Sequence, residues 1–379
     1  MRRYLFILYL IPVIFLSSCV QTQQLEQLGI IASRGVDLTD NNEVEITMAV
    51  LQFEADSQDY TKVITGKSHS IKGAVDEADK RSNKTIVGGK LELEIYGKSV
   101  AEKGINPYLD TLRRDATIPD TMLLAVSETT GKEIIDTQES GLSTNIGEFL
   151  HGLVQTGIQT KLFPSVSLQQ LSTIINNEGI DPILPIIGLD EGVPKIKGIA
   201  LFKNDKLVGE VPIEEEKLFM LIQGTVRGQL FEVQLPTEAL SDYIKDESSG
   251  DSEENFTTTF LIEHGTGDIK LKNKEKLQFD TNIDIELNLM EISKKYDLEK
   301  EKAIQDLEKE VEKEVKKRYE KILKQLKELN SDAFGYGVIY RINNKDGKLT
   351  KKEWDKLFPK IESKFTVNVD IIRHGTVNK

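Results

Sequence analysis

The chain has 379 residues, of which 39% are hydrophobic and 29% charged, and its formal net charge is −13. That balance can bury a core and is not the composition of a wholly disordered chain. An acidic chain without a dominant basic block argues against general nucleic-acid binding, and four histidines with one cysteine exclude an internal disulfide and most zinc frameworks.

Arg2 and Arg3 precede an uncharged run, LFILYLIPVIFL, at residues 5–16. A basic start followed by a short apolar run has the shape of a secretory signal. The run falls short of the roughly 20 apolar residues that span a bilayer, and Pro12 interrupts it. Leu16-Ser17-Ser18-Cys19 follows and resembles the bacterial lipobox, whose cysteine is diacylated after the signal is cut just before it. Cys19 is the only cysteine, at the one position lipidation requires. The expectation is a signal peptide over 1–18, a lipid bilayer anchor through acylated Cys19, and a polar tether over 19–27. Two acyl chains suffice for stable anchoring where one is marginal.

Beyond the tether, 29–36 and 44–53 predict two strands around Asp40-Asn41-Asn42. Residues 71–81 carry a weak helical pattern, 91–96 alternate as a half-buried strand, and 101–114 read as helical with a break at Asn106-Pro107. Residues 122–126 suit a buried strand. Helical stretches over 146–162 and 168–176 are split by Pro164. The two prolines in 181–190 predict a loop or an edge strand. Residues 199–202 and 207–211 flank Lys203-Asn204-Asp205-Lys206, a hairpin signal. Residues 242–255 predict an exposed acidic loop, and 256–263 and 279–290 return to strand alternation. A long amphipathic helix is predicted over 292–330, with Ile304, Leu307, Val311, Val315, Ile322, Leu326 and Leu329 as its apolar stripe. Its lysines and glutamates are interspersed, which favours a solvated charged face over a membrane surface or a coiled coil. A strand over 363–373 closes the pattern. Mixed elements without a regular βαβ repeat predict an α+β fold of about three domains, with mostly antiparallel sheets. The regions are taken as 28–195, 196–265 and 266–376.

Motifs that suggest chemistry are incomplete. Gly66-Lys67-Ser68 and Gly97-Lys98-Ser99 resemble the end of a phosphate loop, but the glycine needed five residues earlier is replaced by Thr61 and Glu92. Asn344, Asp346, Gly347, Leu349 and Glu353 match EF-hand positions, yet the first ligand position holds Ile342. A turn at 343–347 is the favoured reading. His69, His151, His264 and His374 are scattered, and neither HExxH nor Gly-x-Ser-x-Gly occurs. The sequence offers no positive argument for an enzyme, a cofactor or a small-molecule ligand.

Four stretches together resemble the Ger(x)C family, the lipoprotein C subunit of spore nutrient germinant receptors. They are the lipobox at Cys19; Gly97 to Gly104 followed by Tyr108 to Asp115 and Met122 to Val126; Lys197 to Gly209, containing Gly198 and Phe202; and Ser331-Asp332-Ala333-Phe334-Gly335 with Gly337. Trp354, Phe358 and a last strand reaching Gly375 follow in the family's order. Val20 departs from a tryptophan often found there, and 340–354 is atypical. The resemblance implies a non-enzymatic subunit that assembles with the integral membrane A and B subunits at the outer face of the spore's inner membrane. The rival class is a membrane-anchored solute-binding lipoprotein of a transporter. On the residues alone, Gly104 and Gly209 suit positive φ at a turn or helix end. Asn204-Asp205 suits a tight turn. Asp332 suits recapping after the long helix, and Trp354 suits a packing role.

Overall fold

The computed structural model describes residues 25–53, 61–137, 145–245 and 254–373. Cys19, His374 and Gly375 lie outside the described residues, as do the signal and most of the tether.

β1 (Leu28–Leu38), β2 (Val44–Gln52) and β3 (Thr61–Ser68) form an antiparallel meander. α1 (Ile71–Asp79) follows, capped by the Ser70 side chain, which accepts from the Gly73 amide. β4 (Thr85–Val87) and β5 (Leu93–Tyr96) then both run parallel to β1. α2 (Lys98–Lys103) and α3 (Asn106–Arg113) lead to β6 (Leu123–Ser127). α4 (Gly131–Ile135), α5 (Ile146–Gln159) and α6 (Leu168–Ile175) precede the hairpins of β7 (Ile183–Asp190), β8 (Val193–Lys203) and β9 (Lys206–Pro212). The sheet order is β3-β2-β1-β5-β6-β7-β8-β9, with β4 beside β1.

The middle of this sheet, β1-β5-β6-β7, is parallel. Its strands are buried on both faces because helices cover both. Tyr108 of α3 meets Tyr96 on one face, while on the other Ser33 donates to the Gly147 carbonyl of α5. Strands buried twice read as short apolar runs without alternation, which is why the parallel centre left no repeat in the sequence. The 181–190 expectation is corrected here: β7 is internal, between β6 and β8. Pro185 is tolerated because β6 pairs with β7 only at Ile186 and Ile187, just past the proline.

The second sheet holds β10 (Thr225–Val226), β11 (Gln229–Pro236), β12 (Asn255–Asn273), β13 (Gln278–Ile292) and β14 (Glu362–Arg373). Its order is β10-β12-β13-β14, with β11 also on β12. α7 (Glu216–Gln223) and α8 (Glu301–Leu329) cover one face. The long helix starts at Glu301 rather than 292, because β13 runs on to Ile292 and Tyr296 bridges to Ile244. Glu312 and Glu308 of α8 accept from the Val369 and Ile371 amides of β14, at 3.0 and 2.8 Å. Two glutamates one turn apart thus occupy alternate donors on a sheet edge that would otherwise invite pairing. α9 (Tyr336–Ile342) and α10 (Lys351–Leu357) complete the unit.

The fold is α+β as expected, and antiparallel pairings outnumber parallel ones. Among the described residues two hydrophobic cores are found, one for each sheet. Residues 196–265 have no core of their own: β8 and β9 complete the larger sheet, and α7, β10 and β11 join the smaller. β8 feeds both cores, with Ile199 and Leu201 in one and Ala200 and Phe202 in the other.

Helix α5 supplies a mild stability test. A Cβ on Gly152 would meet no atom within 4 Å. Gly152→Ala is expected to stabilise the protein by about 0.5–1 kcal/mol, since glycine costs about that much in a helix interior. The urea midpoint should rise with the slope unchanged.

Candidate functional site

The motif residues of the sequence converge where the two sheets meet. α8 ends at Asn330, which adopts φ 52° and ψ 35° as a left-handed cap. The chain then turns into the larger unit. Ser331 Oγ donates to the Phe202 carbonyl at 2.6 Å, and Ser331 is fully buried. Asp332 and Asp181 exchange bonds: the Asp332 amide donates to Asp181 Oδ2 at 2.9 Å, and the Asp181 amide donates to the Asp332 carbonyl at 3.0 Å. Asp181 Oδ1 also accepts from the Asn204 amide at 2.8 Å. Lys203 Nζ bridges Asp181 at 3.1 Å and Asp355 at 2.5 Å.

Asp332 itself is 0% exposed. Its Oδ1 accepts from the Gly335 and Tyr336 amides at 2.9 and 3.0 Å. Its Oδ2 accepts from the Gly337 amide at 2.7 Å and from Trp354 Nε1 at 2.9 Å. The carboxylate therefore recaps the chain into α9, as the sequence suggested, and it also anchors the one tryptophan. Burial pushes its pKa up to about 7, with the nearby Asp181 charge adding to the rise and the N–H donors opposing it.

Two glycines meet across the units. Gly179, at φ 94°, lies against Gly337, and the Val338 amide donates to the Gly179 carbonyl at 2.9 Å. Arg341 Nη1 donates to Asn177 Oδ1 at 2.7 Å beside them. Phe334 packs on Phe219 with ring centres 4.9 Å apart, fixing the turn into the smaller core.

The hairpin motif is part of the same junction. Asn204 takes φ 57° in the turn. The Asp205 carbonyl accepts from the Ile105 amide at 2.9 Å, and its carboxylate sits where a Cβ on Gly104 would come within 2.6 Å. Gly104 has φ 121°, as its position suggested. Gly209 does not take a positive φ: it lies within β9, where a Cβ would come 2.5 Å from Leu329 Cδ1 of α8. Its role is close approach rather than a turn.

Three motif residues lie apart. Gly97 precedes α2 against the Asp37 side chain, which accepts from the Gly131 and Lys132 amides, each at 2.8 Å. Gly198 faces the Val211 carbonyl within the β8–β9 pairing. Asp115 is paired with Lys72 and with Thr117, which hold its pKa down at about 2.

Asp181 and Gly179 carry no sequence signal, and Lys203 is legible in sequence only as part of the hairpin turn. Their bonds join positions as far as 159 residues apart, and no local pattern marks the partners. Another group without a sequence signal is the buried Arg34–Glu94 pair across β1 and β5, with Nε 2.7 Å from Oε2.

The decoys are structural. Lys67 lies on β3 and pairs with Glu45 at 3.3 Å. In the EF-hand-like segment, Asp346 Oδ1 accepts from the Lys348 amide at 3.1 Å, while Glu353 Oε2 accepts from the Thr350 amide at 2.9 Å. That glutamate is one half of the capping box of α10. Among the described residues no cluster of three or more His, Cys, Asp or Glu is placed to hold a metal. Among them, too, no helix is long and apolar enough to cross a membrane.

Two family profiles match the sequence in tandem. One, described as a spore germination protein N-terminal domain, matches residues 21–189. The other, described as spore germination B3/GerAC like, C-terminal, matches residues 197–375. The chain belongs to the Ger(x)C family of spore germination proteins. Its similarity to spore germination protein GerQC of Bacillus cereus is 22% identity over 379 residues, 99% of each chain. The putative spore germination protein YfkR of Bacillus subtilis (strain 168) is 23% identical over 319 residues, 82% of this chain and 78% of that one. The crystal structure of the GerBC protein superposes with a TM-score of 0.58 and 17% identity, covering 89% of this chain and 97% of that one. That likeness extends the shared fold across both units. The junction around Asp332 is the seam between the two sheets: its bonds to Asp181 and Gly179 cross from one profile to the other, while those to Phe202 and Lys203 lie inside the C-terminal one.

Proposed function

We propose that this Ger(x)C protein is the lipid-anchored, non-enzymatic C subunit of a nutrient germinant receptor. It acts in spore germination by assembling with integral membrane A and B subunits at the outer face of the spore's inner membrane. The observation that carries the reading is the tandem family match over nearly the whole chain. The lipobox cysteine supports the anchor, because one thiol in 379 residues stands where acylation needs it. The seam supports a scaffold role: its polar groups are spent on one another, and Asp332 has no solvent access. Confinement to a membrane raises the effective concentration of a scaffold near its partners.

Deletion of the gene in its host tests the reading. Spores should lose germination to one class of nutrient while dodecylamine, which bypasses receptors, still triggers them. Cys19→Ala should release the protein from the membrane fraction and reproduce that loss. Unchanged membrane retention and germination in Cys19→Ala would overturn the anchor. A growth defect on one solute with normal germination would favour the solute-capture class.

A further inference from the structure

The sequence interleaves lysine and glutamate along α8, but the fold turns some of its carboxylates inward. Glu308 and Glu312 turn inward to the β14 amides, and Asp306 accepts from Tyr243 OH at 2.7 Å. The last four turns then carry Lys316, Lys317, Arg318, Lys321, Lys324 and Lys327 against two carboxylates, Glu320 and Glu328. Arg318 is folded inward onto Glu215 and the Phe231 ring, and Lys327 donates to the Ile361 carbonyl. Lys316, Lys317, Lys321 and Lys324 remain exposed. At 100° per residue these four fall within about 140° of the helix circumference and span about 12 Å. Tyr319, Ile322, Leu323 and Leu326 occupy the opposite arc and are buried.

Part of the far face of the same sheet has the other sign. Asp284 and Glu286 of β13 and Asp370 of β14 are exposed, and they alternate with buried Ile283, Ile285, Val369 and Ile371. Glu286 stands directly across from Asp370 in the ladder. The part of the sheet around Asp284, Glu286 and Asp370 is therefore acidic where the end of the helix is basic, while Lys270, Lys272 and Lys364 are exposed elsewhere on the sheet. A unit charged in this way takes one orientation at an anionic plane. The exposed lysines are only partly neutralised: Lys317 pairs with Glu314 at 3.2 Å, Lys316 lies 3.9 Å from Glu320 and Lys324 lies 4.0 Å from Glu328, and surface pairs of this kind contribute little. Glu215 and Glu216, which border the segment, are already taken by Arg318 and Lys217.

We infer that the exposed lysine face of α8 over 316–324 is a docking surface for the anionic headgroups of a lipid bilayer. It turns the acidic part of the sheet outward, away from the membrane. A flat plane of phosphates suits dispersed lysine point charges, which offer no fixed fork for one defined partner. The proposal rests on the membrane-anchored reading above, and its test is independent of the anchor.

The chain beginning at Val20 lacks Cys19 but retains every described residue. It is sedimented with phosphatidylglycerol-containing vesicles and with phosphatidylcholine vesicles at low and at 0.5 M salt. Binding should require phosphatidylglycerol and fall away with salt. Each lysine near such a surface contributes about fivefold. The quadruple variant K316E/K317E/K321E/K324E should therefore bind at least a hundredfold more weakly with its melting temperature kept. D284N/E286Q, on the far face, should bind like the parent. Equal sedimentation with both lipids, or an unaffected quadruple variant, overturns the proposal. Binding to poly-glutamate with no vesicle preference overturns it in favour of an acidic protein partner. Acylation at Cys19 is judged separately, from the mass of the native N-terminal peptide.

Discussion

Asp332→Ala is expected to cost about 4 kcal/mol or more of folding stability. The side chain is the acceptor for three backbone amides and the Trp354 indole, all buried. Each buried donor left without a partner costs about 1–3 kcal/mol. Part of that sum is recovered by relaxation, which keeps the figure near the lower end of four such losses. Asp332→Asn keeps one acceptor oxygen but turns an amide group toward two of the donors, so it should lose about half as much. Trp354 is the only tryptophan in the chain and is 2% exposed, so its emission reports this seam directly. Urea unfolding followed by that emission gives the measurement. A loss below about 1 kcal/mol for Asp332→Ala would sink the assignment of Asp332 as the keystone of the junction.

The same carboxyl makes stability depend on pH, with a definite sign. Burial raises the folded-state pKa of Asp332 from the ordinary 3.8 to about 7. Between those values the folded chain holds a proton that the unfolded chain has released. Stability from this group is therefore present in full below about pH 4 and declines as pH rises through 7. The decline is on the order of 1.4 kcal/mol per pH unit across that window if the group titrates alone. Asp332→Asn should flatten the slope. Asp115 has the opposite sign, since pairing with Lys72 lowers its folded-state value to about 2, and its contribution fades only as pH falls toward that value. It is solvent-exposed pairing, so that term is small.

How legible this was differs by the range of the contact. β12, β13 and β14 alternate apolar and polar residues because only one face is covered, and the pattern survives in the sequence. β7 was obscured by Pro182 just before it and Pro185 within it, because a proline's restriction applies to the ladder bond and not to the whole strand. The start of α8 was placed early because the apolar stripe of β13 runs nearly into that of the helix. The inward turn of part of the acidic charge on α8 was invisible, since interspersion along the chain says nothing about direction until Glu308 and Glu312 are tied to β14. At the seam, Ser331, Asp332, Gly335 and Trp354 could be named because they are close in sequence and shape one turn. Asp181 and Gly179 could not, because their partners are supplied only by the docking of the other half.

Gly337→Ala is expected to damage that docking as severely as loss of the Asp332 carboxylate, by a different route. A Cβ at Gly337 would fall 2.6 Å from Cε2 and Nε1 of Trp354 and would press on the Gly179 backbone as well. The indole cannot swing aside cheaply, because its N–H is bound to Asp332 and its ring packs on Tyr340 and Phe358. Gly179 cannot retreat either, since its own φ of 94° is one that other residues rarely adopt and its carbonyl accepts from the Val338 amide. Overpacking in a rigid site costs about 1–3 kcal/mol, and loss of the attached hydrogen bonds adds to it. The total should exceed about 3 kcal/mol. Gly347→Ala is the matched control in the same segment: it takes φ 65° but a Cβ there meets no atom within 4 Å, so only the backbone strain of about 1 kcal/mol applies. If the two alanine variants unfold at the same urea concentration, contact between the halves does not hold this junction, and the seam would be a hinge with little energy across it. If Gly337→Ala alone is crippled, the two halves act as one cooperative body, and a signal delivered to either is felt by both.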